Sequence, residues 1–201
     1  MQFGRHSGST SGFSLIEVLI SVSLVTVLLV NTTVLINTTS DATKNTQEQQ
    51  ELDRLASQLL DRIALELMEA DKEVTLPQNV APQHSALINY QSSTGLTNGE
   101  VVYSTPSRIQ FRLVDSEVIW TRNADSPEAQ EVVWGRFLSD FLFEESGGNL
   151  TDDNNNGLVD EAGLSFNIDG SSVLIRLTLE KETEDNRLIT AQAWTRATFR
   201  N

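Results

Sequence analysis

From Phe13 the chain turns apolar with one acid, Glu17, near the start of the run, and from Val18 to Ser40 it carries no charge at all. That uncharged run is a little longer than the roughly 20 residues a helix needs to cross a hydrocarbon core of about 30 Å, so a transmembrane helix is predicted over 13–40. Beyond Asp41 the pattern changes: Leu52, Leu55, Leu59, Ile63 and Leu67, with Leu60 and Met68 alongside, recur at helical spacing. No Pro or Gly interrupts from Phe13 to Glu73. The sequence therefore predicts one long helix, its first part in lipid and its second, 41–76, an amphipathic stem that Pro77 ends at the latest. The Thr- and Asn-rich stretch 31–46 has lower helix propensity, and fraying or a bend is expected there.

After Pro77 the period shortens to two. Short β-prone runs at 101–103, 109–114, 117–121, 132–134, 137–143, 172–180 and 189–200 alternate with turn residues, which predicts antiparallel strands. Ile109, Phe111 and Leu113, and again Val173, Ile175, Leu177 and Leu179, place one face of each strand inward. An amphipathic helix laid on such a sheet makes an α+β fold, with the sheet domain spanning 77–201.

Charge and composition narrow the functions this architecture can serve. A formal net charge of -14 repels phosphate backbones, and the 14 Lys and Arg residues form no basic stripe, so no direct nucleic-acid binding is expected. There are no cysteines, which removes disulfides, thiolate nucleophiles and Cys-ligated zinc. Of the two histidines, His6 lies before the apolar run and His84 stands alone in a loop, where a surface role is expected. Glu144 and Glu145, read as neighbours on a strand, would point to opposite faces and cannot flank one glycosidic bond. Trp120, Trp134 and Trp194 are expected as core or edge aromatics. No Walker-type glycine loop occurs, and no enzymatic activity is expected.

The carboxylate at Glu17 is the anomaly. An acid in a membrane span costs at least about 2.5 kcal/mol, which implies a neutralising partner. Before it the leader 1–12 is polar, carries Arg5, and ends in Gly12, so the small residue precedes the apolar stretch, where a cleaved signal peptide has it on the far side. The run Gly12-Phe13-Ser14-Leu15-Ile16-Glu17-Val18-Leu19-Ile20 resembles the amino-terminal motif of the type IV pilin and type II secretion pseudopilin superfamily. The resemblance implies cleavage by a prepilin peptidase between Gly12 and Phe13, methylation of the new Phe13 amine, and retention of the span. It further implies that Glu17 pairs with the terminal amine of a neighbouring subunit during assembly. Leu52 to Ile63 and the closing Ala197-Thr198-Phe199-Arg200-Asn201 are similar to J-type minor pseudopilins and W-type minor pilins.

One further segment bears on chemistry. Within 147–164, Asp152, Asn154 and Asn156 occupy alternate positions before Gly157 and the carbonyl of Leu158, the order in which the first part of an EF-hand loop offers oxygens to calcium. The twelfth place of that loop, where a bidentate Glu belongs, is Gly163. Asp160 and Glu161 come earlier and are expected to close the shell in an abbreviated loop. A solvated acidic turn is the competing reading, because Asp, Asn and Gly favour turns in any case.

The resemblance implies a non-enzymatic structural subunit: a minor pseudopilin that primes or caps a periplasmic filament of a type II secretion system, with a minor subunit of a surface type IV pilus as the alternative. Its expected partners are other minor and major pseudopilins or pilins, prepilin peptidase and the inner membrane. The expected topology is single-pass, amino terminus cytoplasmic, with the sheet domain in the periplasm or at a filament tip. A membrane-anchored binding domain without a filament role is the reading outside the superfamily.

Overall fold

The computed structural model describes residues 14–183 and 185–200. The predicted cleavage junction at Gly12 and Phe13 lies outside the described residues. The chain divides into two compact units, the first ending at Thr46 and the second beginning at Gln47. One α-helix, α1 (Leu15–Met68), contributes to both.

In the first unit α1 exposes apolar side chains in every direction, from Leu15 through Ile36. Among the described residues it is the one helix long and apolar enough to cross a membrane. The expected fraying over 31–46 does not occur, for helix is continuous through that stretch. The reason is local. Thr32, Thr33, Thr38, Thr39, Thr43 and Thr46 each donate a hydroxyl hydrogen bond to the carbonyl four residues back, at 2.8–2.9 Å. The hydroxyls that compete with the backbone for hydrogen bonds elsewhere are here satisfied on the helix itself.

In the second unit the remainder of α1 buries one stripe: Leu52, Ala56, Leu59, Leu60, Ile63 and Leu67. Met68, expected in the stripe, lies half open. The helix ends at Met68, earlier than the predicted stem limit at 76, because the backbone of 70–71 pairs elsewhere. Asp71 N–H donates to Gln91 O at 2.9 Å and Arg200 N–H to Ala70 O at 3.1 Å. Asp71 then caps a short 3₁₀ turn at Lys72–Val74 by accepting from Glu73 N–H.

The predicted α+β class is the class observed: one helix and antiparallel sheets. A four-stranded sheet has the order β1 (Leu87–Tyr90), β4 (Ser107–Arg112), β5 (Glu117–Arg122), β6 (Gln130–Gly135), with β2 (Ser93–Thr97) and β3 (Glu100–Tyr103) forming a separate hairpin. A three-stranded sheet has the order β7 (Leu164–Asp169), β8 (Ser172–Glu182), β9 (Leu188–Thr198). Both larger sheets join α1 in one apolar cluster that includes Ile88, Ile109, Val118, Phe166, Ile175 and Leu177. At Gly135 the stem lies close on β6: a Cβ there would stand 2.5 Å from Leu59 Cδ2. Gln49 Nε2 fastens the stem to β9 by donating to Thr190 O at 2.9 Å.

Three strand expectations change. The run 137–143 is irregular and contributes only single bridges, Leu138 to Leu179 and Phe141 to Ala162. Leu138 and Leu142 are buried, but Asp140, which a strand would place on the same face between them, is exposed. Leu113 leaves β4 for a 3₁₀ turn and is exposed. Strands β1, β2 and β7 appear without having been predicted. In β7, Leu164, Phe166 and Ile168 alternate with Ser165 and Asn167, yet both polar residues are buried as well, and Asn167 Nδ2 donates to Gln83 O at 2.8 Å.

Candidate functional site

Two places carry chemistry: the start of α1 and the acidic connection between β6 and β7.

At the helix start Glu17 Oε2 accepts from Ser14 N–H at 2.9 Å, while Ser14 Oγ accepts from Glu17 N–H at 3.3 Å. This is a reciprocal capping box. A carboxylate there also faces the positive end of the helix dipole, so Glu17 has stabilising interactions within a single chain before any partner is supplied. The role of Ser14 was legible in the spacing Ser14-x-x-Glu17 but is absent from the pilin-like reading of the motif.

The acidic connection is ordered by its own side chains. Exposure alternates along it, with Asp152, Asn154 and Asn156 turned partly inward and Asp153, Asn155 and Gly157 outward, until Leu158 is fully buried. Asp152 accepts from Asn156 N–H at 3.0 Å and from Gly157 N–H at 2.8 Å. Asn156 Oδ1 accepts from Leu158 N–H at 2.9 Å. Gly157 adopts φ +90°, the left-handed conformation that the sixth place of such a loop calls for. Gly163 fills the twelfth place for a steric reason: a Cβ would collide with the carbonyl oxygen of Ser139. A Glu at that place is therefore excluded.

The expected closing pair separates. Asp160 accepts from the N–H groups of Asn149 and Leu150, both at 3.0 Å, and so ties the connection to its own beginning. Glu161 turns the other way and is completely buried. Its Oε1 accepts from Asn156 Nδ2 at 2.9 Å and lies 3.6 Å from Arg176 Nη1. Its Oε2 has no partner. Burial, with Glu145 and Asp152 nearby, pushes the Glu161 carboxyl up to about 6, against the opposing pull of Asn156 and Arg176.

Glu145 is the residue that sequence reasoning missed here. It is buried while Glu144 is exposed, and it lies in a turn rather than on the strand once expected. Its Oε1 accepts from Asp160 N–H at 3.2 Å, and its Oε2 has no partner. Nothing in the pair Glu144-Glu145 marks which one turns inward. Among the described residues no three carboxylate or imidazole groups already stand at metal-ligand spacing.

Of the other singled-out residues, His84 and Trp194 lie near the acidic connection. His84 lies half-buried in a loop, where burial holds its pKa down while the nearby Asp160 opposes that shift. Trp120 and Trp134 stack with centroids 5.5 Å apart, Trp120 Nε1 donates to Tyr90 Oη at 2.8 Å, and the Arg62 guanidinium sits 4.3 Å over Trp134. Trp194 is exposed on β9, beside a cavity of about 410 Å³ also lined by Phe143, Arg176 and Arg196. A scan against models of known protein families, a search of curated proteins and a search of solved structures each find no match to this chain.

Proposed function

We propose that this chain is a minor subunit of the type IV pilin and type II secretion pseudopilin superfamily: a membrane-anchored, non-enzymatic part of a filament, here assigned to a type II secretion pseudopilus. The observation that carries the reading is the composition of α1. A charge-free apolar segment with a lone acid near its start continues without a break in helix into a segment whose single buried stripe packs on antiparallel sheets. Free membrane anchors have no need of Glu17, of the Gly12-Phe13 junction before it, or of an unbroken helix after it.

In this reading prepilin peptidase cuts after Gly12 on the cytoplasmic side, the Phe13 amine is methylated, and 13–40 stays in the inner membrane with the sheet domain in the periplasm. Glu17 then exchanges its cap for the Phe13 amine of a neighbouring subunit. Other minor and major subunits are the partners. The carboxylate leaves lipid as half of an ion pair, which favours insertion and sets the axial register.

The test is processing. Co-expressed with a prepilin peptidase, the full chain should lose residues 1–12 and show a methylated Phe13 by amino-terminal mass analysis, and Gly12→Val should block the cut. A chain that keeps its leader and stays monomeric in membranes would instead be an anchored binding domain. Pull-down of pilus subunits in place of secretion subunits would move it to a surface pilus.

A further inference from the structure

Two carboxylate oxygens in the acidic connection are buried without a donor. Glu161 is fully buried and Glu145 is only 9% exposed, and in each the Oε2 atom has no hydrogen-bond partner. Desolvated acceptors of this kind are strongly unfavourable when left unpaired. Both belong to one electrostatic neighbourhood, because Glu145 and Asp152 are the like charges that act on Glu161. Three carboxylates, Glu145, Asp152 and Glu161, are opposed there by one guanidinium, Arg176, which leaves two negative charges uncompensated.

The geometry points to a divalent-cation site, selective for calcium, in which Glu145 Oε2 and Glu161 Oε2 close on Asp152 and the amide oxygens of Asn154 and Asn156. The donor set is all oxygen, which suits a hard cation and gives zinc or copper no nitrogen or sulfur. Calcium accepts six to eight ligands in flexible geometry, so waters and carbonyls complete the shell and three preformed carboxylates are not needed. This ligand set differs from the one read off the loop alone. Asp160 turns to the N–H groups of Asn149 and Leu150, ahead of the loop, whereas the N–H groups that Asp152 accepts, Asn156 and Gly157, belong to the loop itself, and Glu145 enters from before the loop. Bound calcium would thereby join the start of the β6–β7 connection to its end beside β7, making the order of this long segment depend on the cation. The inference stands apart from the filament reading and its test is separate.

The measurement is thermal unfolding of the full-length chain in detergent micelles, in EDTA and then with calcium chloride or magnesium chloride at about 5 mM. Calcium should raise the midpoint by about 5 °C, magnesium by much less. Glu145→Gln and Glu161→Gln, which keep size and hydrogen-bonding shape, should each lose most of that shift, and Asp152→Asn provides a third arm if either fails to fold. No calcium shift in the unaltered chain overturns the proposal, as does a full shift retained in the folded variants.

Discussion

Between Val18 and Ile36 every Leu, Ile and Val of α1 lies open, whereas between Leu52 and Leu67 the same helix buries a single stripe of apolar side chains and leaves only Leu65 open. The backbone is helical in both segments, so the difference lies in the solvent each one is built for. A segment apolar around its whole circumference is stable only where the surroundings are apolar too, and its backbone groups are all bonded within the helix, as a bilayer requires. A segment apolar on one face needs a protein surface on that face and water on the other. In both segments hydroxyls bond back to their own helix, as Ser21, Thr32 and Ser57 do, but just ahead of the second Gln49 also reaches out to β9.

The largest expected effect separates the two segments by burial. Ile63→Ala should destabilise the sheet domain by about 3 kcal/mol through a cavity among α1 and both sheets, and Leu28→Ala should leave its unfolding midpoint unchanged. Comparable losses would mean that the span also packs on protein within the single chain. A close second reverses the roles: Leu28→Arg should cost about 2.5–3.5 kcal/mol of membrane insertion, seen as release of the chain on carbonate extraction, with the domain still folded.

The acidic connection gives a smaller effect. In EDTA, Glu161 has a carboxyl pushed from 4.5 up to about 6, so folding favours its protonated form. That contribution is fully present below pH 4.5 and is lost as pH rises through 6, a loss of about 2 kcal/mol. The groups facing Glu161 are Glu145, Asp152, Asn156 and Arg176, and Glu161→Gln should flatten the profile of stability against pH over that window. The smallest effect lies at the helix start, where Ser14→Ala should loosen the first turn by about 1 kcal/mol, read as faster amide exchange at Glu17 and Val18.

The features legible in the sequence were those with a period. Leu52, Leu59, Ile63 and Leu67 announce a helix face, and Val173, Ile175, Leu177 and Leu179 a strand face, because burial of one side writes itself as spacing. Strand β7 carries the same strand spacing in Leu164, Phe166 and Ile168; what that spacing does not encode is that the polar face is buried too, with Asn167 held on the loop carbonyl of Gln83. The run 137–143 misled because β-prone composition was read without its spacing. In the acidic connection Asp152, Asn154, Asn156 and Gly157 could be placed by their turn chemistry. The inward turn of Glu145 and the diversion of Asp160 to Asn149 and Leu150 depend on chain path, and spacing does not encode it.

Glu17 is where the apolar segment and the filament reading meet, and its observed cap and its proposed pairing can be separated by one substitution. Glu17→Gln keeps an acceptor for Ser14 N–H, since Gln serves a capping box as Glu does, but removes the charge that an amine would pair with. The decisive measurement is the fraction of processed subunit recovered in assembled filaments for the unaltered chain and for Glu17→Gln, with leader cleavage followed in parallel. The account predicts normal cleavage and an incorporation lowered at least about tenfold, the equivalent of 1.4 kcal/mol or more of lost pairing. Incorporation equal to that of the unaltered chain would show that Glu17 only caps its helix and would contradict the assembly role.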